Sequence, residues 1–182
     1  IRWPKLEIVK ISNPVFFKNK FRTSVSEKIN KYYFLSVGRL EKSKSHVTII
    51  KAFNEIKFKL DNKINLYIVG DGPEHRNLNQ LIKSYSLEDR IKIIPRSNDV
   101  EEIYLNSNIF IFSSYFEGIP NVILEAMSFS LPIISSDFLA VKELIEHEKS
   151  GLIFPKGDYK NLSEMMLKLS KDVYCQREYS SE

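Results

Sequence analysis

The stretch FSSYFEGIPNVILEAMSFSLPIISS, residues 112–136, predicts a strand, a loop, a helix and a second strand in succession. It starts at the end of the apolar run 109–112 and finishes in a second apolar run, 131–134. From position 119 onward, apolar residues recur at the i, i+3, i+4, i+7 spacing of one helix face. Pro120 suits the first helical turn, where its missing N–H needs no partner. Glu117 therefore lies just before the helix, and Glu125 lies at the border of its apolar face, as a solvated edge residue or as a ligand in a cleft.

The same alternation of apolar runs and amphipathic segments extends over residues 32–172. Predicted strands cover 32–37, 64–69, 91–94, 109–112, 131–134 and 152–154, and predicted helices cover 46–60, 74–85, 99–105, 119 onward, 141–146 and 158–172. Almost wholly apolar strands indicate a parallel sheet that is covered on both faces. We therefore predict one Rossmann-like, doubly wound α/β domain at 32–172. An N-terminal arm or inter-domain linker remnant at 1–31 precedes it, and a polar tail at 173–182 follows.

Composition narrows the class of protein only mildly. The chain has 27 Lys and Arg against 23 Asp and Glu, a net charge of +4, which suits a phosphorylated ligand or an anionic surface without selecting either. The sequence has no basic face with interleaved aromatic residues, so it does not indicate nucleic-acid binding. The single Cys175 fits a reducing cytoplasm. The basic, aromatic arm at 1–31 is compatible with peripheral association at the inner face of a membrane.

A ligand site is predicted at one edge of the sheet, because parallel α/β sheets bind ligands outside the carboxyl ends of their strands. The loops there carry Gly38-Arg39, Gly70-Asp71-Gly72, Pro95-Arg96 and 113–117. Taken singly, each is explained by a turn glycine or a surface charge. Their conjunction, with Lys44 in the first loop and helix N-termini facing the same crevice, favours a phosphate-bearing ligand.

Other chemistries lack their sequence signatures. No Asp-x-Asp pair occurs, and His46, His75 and His147 are scattered singly, so we predict no metal site and no cofactor. Ser113-Ser114 has no Gly-x-Ser-x-Gly frame around it. GDGPEH, which begins at Gly70, lacks the third glycine of a dinucleotide fingerprint. The charge of a diphosphate would then be neutralised by Arg39, Lys44 and helix dipoles.

Together these motifs resemble the C-terminal half of a group 1 glycosyltransferase, a retaining family with two facing Rossmann-like domains in the GT-B fold. The resemblance covers residues 36–172. It is carried by five segments: GRLEKSKSH at 38–46, IVGDGPE at 68–74, the Glu-x7-Glu pair at 117 and 125, LPIISSD at 131–137 and SGLIFPKGD at 150–158.

The resemblance implies a role for each matching residue. Arg39 and Lys44 would bind the diphosphate of a UDP- or GDP-sugar and stabilise its charge, Glu125 would bind the ribose, and Glu117 would lie near the donor sugar. Backbone atoms around Arg96 would contact the base. The full set of predicted substrate-binding residues is Gly38, Arg39, Lys44, Gly70, Asp71, Gly72, Arg96, Glu117, Gly118, Ile119, Pro120, Asn121, Val122 and Glu125. The implied acceptor is a polysaccharide or a lipid-linked glycan.

The sequence departs from the family pattern in three ways, of which the first two concern mainly local loop shape and the third concerns function. Ser130 stands where the family usually has glycine, residues 137–141 lack the usual glycines, and the acceptor-binding N-terminal domain is missing. We therefore expect the isolated chain to transfer no sugar. One alternative is a non-catalytic nucleotide-sugar-binding or interaction module that has kept the fold. A nucleotide-sugar epimerase shares the two-domain architecture, but the Glu-x7-Glu segment argues against it.

Overall fold

Six parallel strands form the single sheet of the computed structural model, which describes residues 32–96, 100–118 and 120–171. The strands are β1 (Tyr32–Val37), β2 (Ile64–Val69), β3 (Ile91–Ile94), β4 (Ile109–Phe112), β5 (Ile133–Ser136) and β6 (Leu152–Phe154). The helices are α1 (His46–Ile56), α2 (His75–Ser84), α3 (Val100–Leu105), α4 (Asn121–Ser128), α5 (Val141–Leu144) and α6 (Tyr159–Lys171), and a 3₁₀ helix spans Lys42–Lys44. The predicted arm at 1–31 and tail at 173–182 lie outside the described residues.

The strand order β3-β2-β1-β4-β5-β6 reverses direction at the centre of the sheet. β1 pairs with β2 on one side and with β4 on the other, and all five strand pairs are parallel. The segments that follow β1 and β4 therefore pass to opposite faces of the sheet, and a crevice lies between the carboxyl ends of these two strands. The predicted doubly wound, Rossmann-like parallel sheet is confirmed.

Both faces of the sheet are buried because successive side chains of each strand point to opposite sides. On β1, Phe34 packs in the cluster that includes residues of α1, α2 and α6, whereas Leu35 packs in the cluster that includes residues of α3, α4 and α5. Phe34 and Leu35 are both 0% exposed. The apolar runs of the sequence thus correspond to strands that lie between two helical layers.

The predicted bounds hold for five strands, and β5 is the exception. β5 covers Ile133–Ser136, two residues later than the predicted 131–134. Pro132 has no N–H to donate to the ladder. The strand instead continues through Ser135 and Ser136, which are fully buried and hydrogen-bonded through their hydroxyls. Hydrophobicity alone therefore located this strand too early.

Helix bounds also differ from the predicted ones: α2 and α6 are one residue shorter at each end, α5 ends at Leu144 instead of residue 146, and α1 and α4 differ as follows. α1 ends at Ile56 instead of residue 60. A turn follows the helix, in which the N–H groups of Lys59 and Leu60 both donate to the Ile56 carbonyl. Pro120 was predicted in the first turn of α4 but is extended, with φ −79° and ψ 93°, and directly precedes the helix. Its carbonyl accepts the Ile123 N–H at 3.0 Å, so it acts as the N-cap.

Ser130 adopts φ 54°, in the left-handed region that favours glycine. This is the position at which the resembling family usually has glycine. We expect Ser130→Gly to raise the free energy of unfolding by about 0.5–1 kcal/mol, because relief of the backbone strain exceeds the added entropy of the unfolded chain. Urea denaturation would measure it. As a control, Ser84→Gly in α2 should lower stability, since Ser84 is helical. Equal effects at the two positions would contradict the prediction.

Candidate functional site

At the carboxyl edge of the sheet, the first loop (residues 38–45, after β1) and the second loop (residues 70–74, after β2) pack backbone against backbone. The N–H of Leu40 donates to the carbonyl of Asp71 at 2.9 Å, and the N–H of Glu74 donates to the carbonyl of Leu40 at 2.9 Å. A Cβ added to Gly70 would lie 1.9 Å from the carbonyl oxygen of Gly38, and one added to Gly72 would lie 2.5 Å from that of Leu40. The glycines of the second loop are therefore needed for close packing against the first loop.

Lys44 and Glu117 meet at the centre of this edge. The Lys44 ammonium donates to a carboxylate oxygen of Glu117, although 73 residues separate the two in the chain. Their side chains are only 22% and 16% exposed, so the pair is weakly screened by solvent. The structure thus unites the lysine and the carboxylate that the sequence placed in different loops.

Buried serines tie the two loops that carry this ion pair, and the sequence analysis missed them. The Ser113 hydroxyl lies 2.7 Å from the Lys44 carbonyl and 3.0 Å from the Ser45 carbonyl. The Ser114 hydroxyl lies 3.2 Å from the Ser43 carbonyl oxygen. The Ser136 hydroxyl donates to the Ser114 carbonyl at 2.6 Å. A usable signal was present, because serines directly follow two apolar strands, where a buried hydroxyl needs a partner.

Arg39 does not join the ion pair among the described contacts. Its guanidinium is 74% exposed and pairs with Glu41, two residues away, at 2.8 Å. An exposed ion pair of this kind contributes little to stability. Arg39 is therefore held at the rim of the crevice, where its side chain is accessible to a ligand.

Glu125 belongs to a second cluster on the other side of the crevice. It is half-buried, and its carboxylate accepts the hydroxyl of Tyr104 at 2.9 Å. Tyr104 is fully buried and stacks on Phe129 with ring centroids 5.1 Å apart. Burial, with the Glu125 carboxylate, raises the pKa of Tyr104, so this phenol stays protonated and keeps donating. Glu125 is thereby oriented by a rigid partner that the sequence analysis did not identify.

Asp71 connects the second and third strand-to-helix loops. Its carboxylate accepts the backbone N–H of Arg96 at 3.0 Å, across 25 residues of sequence. The charge of Arg96 opposes the rise in the pKa of Tyr104. The backbone of Arg96, predicted to lie near the base, is thus held to the second strand-to-helix loop.

His46 lies beneath the first loop and is 3% exposed. Its Nε2 donates to the carbonyl of Arg39 at 3.3 Å, and its Nδ1 lies 3.5 Å from the hydroxyl of Ser36. Burial lowers the pKa of His46 to about 4, and the charge of Lys44 acts in the same direction. The imidazole is therefore neutral near pH 7 and supports the backbone of the Gly38–Arg39 turn.

The loop that leads into α4 forms the open part of the site. Gly118 is exposed, and a Cβ added there would meet no atom within 4 Å. Pro120 is buried, Asn121 is exposed and Val122 is half-buried, whereas Ile119 lies outside the described residues. An open depression of about 400 Å³ adjoins Glu117, and it is lined by Tyr115, Phe116, Glu117, Gly118, Phe138, Leu139 and Lys156.

Two features that the described residues lack bear on the character of the chain. Within 32–96, 100–118 and 120–171, no group of three or more His, Cys, Asp or Glu side chains is arranged to hold a metal ion. In the same part of the chain, no helix combines the length and the apolar character that crossing a bilayer requires.

Comparison with known proteins identifies the family. The model of the glycosyl transferases group 1 family matches residues 17–181. This chain belongs to the group 1 glycosyltransferases. An uncharacterized glycosyltransferase of Haemophilus influenzae is 36% identical over 162 residues, which cover 87% of this chain and 43% of the relative. The N-acetyl-alpha-D-glucosaminyl L-malate synthase of Bacillus anthracis is 30% identical over 160 residues, or 88% of this chain and 40% of the relative. The group 1 chain thus spans less than half the length of these relatives.

Solved structures share the fold of this group 1 chain. HepE of Anabaena, in complex with UDP and glucose, superposes with a TM-score of 0.77 at 22% identity, over 84% of this chain and 42% of that one. TarM superposes with a TM-score of 0.80 at 18% identity, over 90% of this chain and 33% of that one. This glycosyltransferase chain therefore matches about two fifths of HepE and a third of TarM.

Proposed function

We propose that the chain is the donor-binding domain of a retaining, metal-independent glycosyltransferase of the hexosyltransferase type. It would bind a nucleotide-diphosphate sugar for transfer to a polysaccharide or glycolipid acceptor. The observation that carries the proposal is the Lys44–Glu117 pair, which lies at the carboxyl edge of the sheet between the ends of β1 and β4. The relatives support the class of ligand, since HepE is described in complex with UDP and glucose.

The different hydrogen-bond partners of Glu117 and Glu125 support distinct roles for the two glutamates. Glu117 contacts Lys44, whereas Glu125 contacts Tyr104, so the two carboxylates have different partners. In the proposed arrangement, Lys44 and Arg39 neutralise the diphosphate as the glycosidic bond breaks. Glu117 faces the donor sugar beside the open depression, and Glu125 accepts hydrogen bonds from the ribose.

Calorimetric titration with UDP, GDP and ADP tests the proposal. We expect at least one of them to bind, with the same affinity in EDTA as in Mg²⁺, because cationic side chains and helix dipoles replace the metal. Lys44→Ala should weaken binding about tenfold or more through loss of a charge-assisted hydrogen bond to phosphate.

Lys63→Ala is the matched control, since Lys63 is an exposed lysine that precedes β2 at the opposite edge of the sheet. Its affinity should equal that of the unaltered chain. Absence of binding to all three nucleotides, or binding only with a divalent metal, would overturn the proposal.

A further inference from the structure

We propose that Ser113 is a positioning residue, whose buried hydroxyl fixes the backbone of Lys44 and thereby sets the register of its ion pair with Glu117. The importance of that register for a nucleotide sugar rests on the proposed function. The geometry itself rests only on described contacts.

The Ser113 hydroxyl connects directly to the backbone of Lys44. Ser113 is 2% exposed, and its Oγ lies 2.7 Å from the Lys44 carbonyl and 3.0 Å from the Ser45 carbonyl. One hydroxyl has one proton, so the two carbonyls share it. These carbonyls lie where the 3₁₀ helix Lys42–Lys44 ends and the chain turns through Ser45 at φ 49° into α1. The hydroxyl therefore fixes the point from which the Lys44 side chain departs.

Glu117 departs from the same segment, four residues after Ser113. A second tie, independent of side chains, runs between the loops, because the N–H of Tyr115 donates to the Ser43 carbonyl at 2.8 Å. The Ser114 hydroxyl adds a contact to that carbonyl at 3.2 Å. Removing the Ser113 hydroxyl thus leaves the loops docked but frees the Lys44 carbonyl, so the predicted effect falls on the register of the ion pair.

Ser135 offers a matched control for this hydroxyl. It is also a fully buried serine near the carboxyl end of a central strand. Its Oγ contacts only the adjacent Ser136 carbonyl among its described hydrogen bonds, at 3.2 Å, and reaches neither loop. Ser113→Ala and Ser135→Ala therefore remove the same group from similar surroundings, but only the first removes a link between Lys44 and Glu117.

A double-mutant cycle tests the register without any nucleotide. The coupling between Lys44→Met and Glu117→Gln is measured from urea denaturation, first in the unaltered chain and then with Ser113→Ala or Ser135→Ala. We expect the pair to change the unfolding equilibrium constant about fivefold in the unaltered chain and with Ser135→Ala. With Ser113→Ala the coupling should fall to less than twofold. Equal coupling in all three backgrounds would overturn the proposal.

Nucleotide affinity provides the second readout, measured with whichever of UDP, GDP or ADP binds. We expect Ser113→Ala to weaken binding about fivefold to tenfold and Ser135→Ala to leave it unchanged, as for loss of one buried hydrogen bond. In a Lys44→Ala background, Ser113→Ala should have no further effect on affinity. An undiminished effect there would show that the hydroxyl supports the fold in general. Failure of the unaltered chain to bind any nucleotide would contradict the proposed function, while the coupling cycle would still decide the role of Ser113.

Discussion

Replacing Gly70 by alanine should lower the free energy of unfolding by about 3 kcal/mol, the upper range for forcing an extra carbon into a packed interior. The added Cβ would lie 1.9 Å from the carbonyl oxygen of Gly38, which is backbone and cannot rotate away. The first and second loops must then separate, which strains the hydrogen bond from Leu40 to Asp71. Chemical denaturation would measure the loss.

Gly118→Ala is the control for Gly70→Ala, because a Cβ at Gly118 meets no atom within 4 Å. We expect its stability to lie within about 0.5 kcal/mol of the unaltered chain, as for an ordinary exposed substitution. Nucleotide affinity should fall for Gly70→Ala as well, since the displaced loop carries Arg39. A Gly70→Ala chain as stable as Gly118→Ala would show that the two loops are not in contact.

Acidification should destabilise the chain through His46. Burial lowers the pKa of this imidazole to about 4, below the ordinary value of 6.5 in the unfolded chain. Between those two values the unfolded state binds a proton and the folded state does not, so the free energy of unfolding falls as the pH falls. The stability is fully present above pH 6.5. The His46 contribution lost by pH 4 is about 3 kcal/mol.

Two variants isolate that contribution from the carboxylates, which also titrate at low pH. His46→Gln cannot titrate, so its stability should fall less between pH 7 and pH 4 than that of the unaltered chain, by about 3 kcal/mol. His75→Gln alters an exposed histidine of α2 and should keep the full fall. Urea denaturation at each pH measures the difference, and parallel pH profiles for all three chains would contradict the buried, neutral imidazole.

The bounds of a strand were predictable from the sequence wherever the hydrophobic pattern alone determines that strand. Five strands have the predicted bounds, because each is an apolar run covered on both faces. β5 was placed too early, since its last residues, Ser135 and Ser136, are polar, and the hydrogen bonds that allow their burial are not part of a hydrophobic pattern. A hydrophobic pattern predicts the burial of apolar side chains, but it does not predict the burial of a hydroxyl whose hydrogen-bond partner lies in another loop.

The candidate site shows the same division. The rule that ligands bind at the carboxyl edge of a parallel sheet predicted that Arg39, Lys44, Glu117 and Glu125 face one crevice. It could not say which of them touch. Lys44 pairs with Glu117, whereas Arg39 pairs with Glu41 at the rim. The roles of these residues toward a nucleotide sugar stay predictions until the titrations are done.

The amino-acid sequence was enough to predict the doubly wound sheet and the family, because these follow from apolar periodicity and from motifs that are local in the chain. Only the tertiary structure decided the partners within the crevice. The contacts of Ser113 with Lys44, of Tyr104 with Glu125 and of Gly70 with Gly38 each join segments far apart in sequence. Such contacts depend on how the loops pack at atomic distance, and no spacing along the chain encodes that.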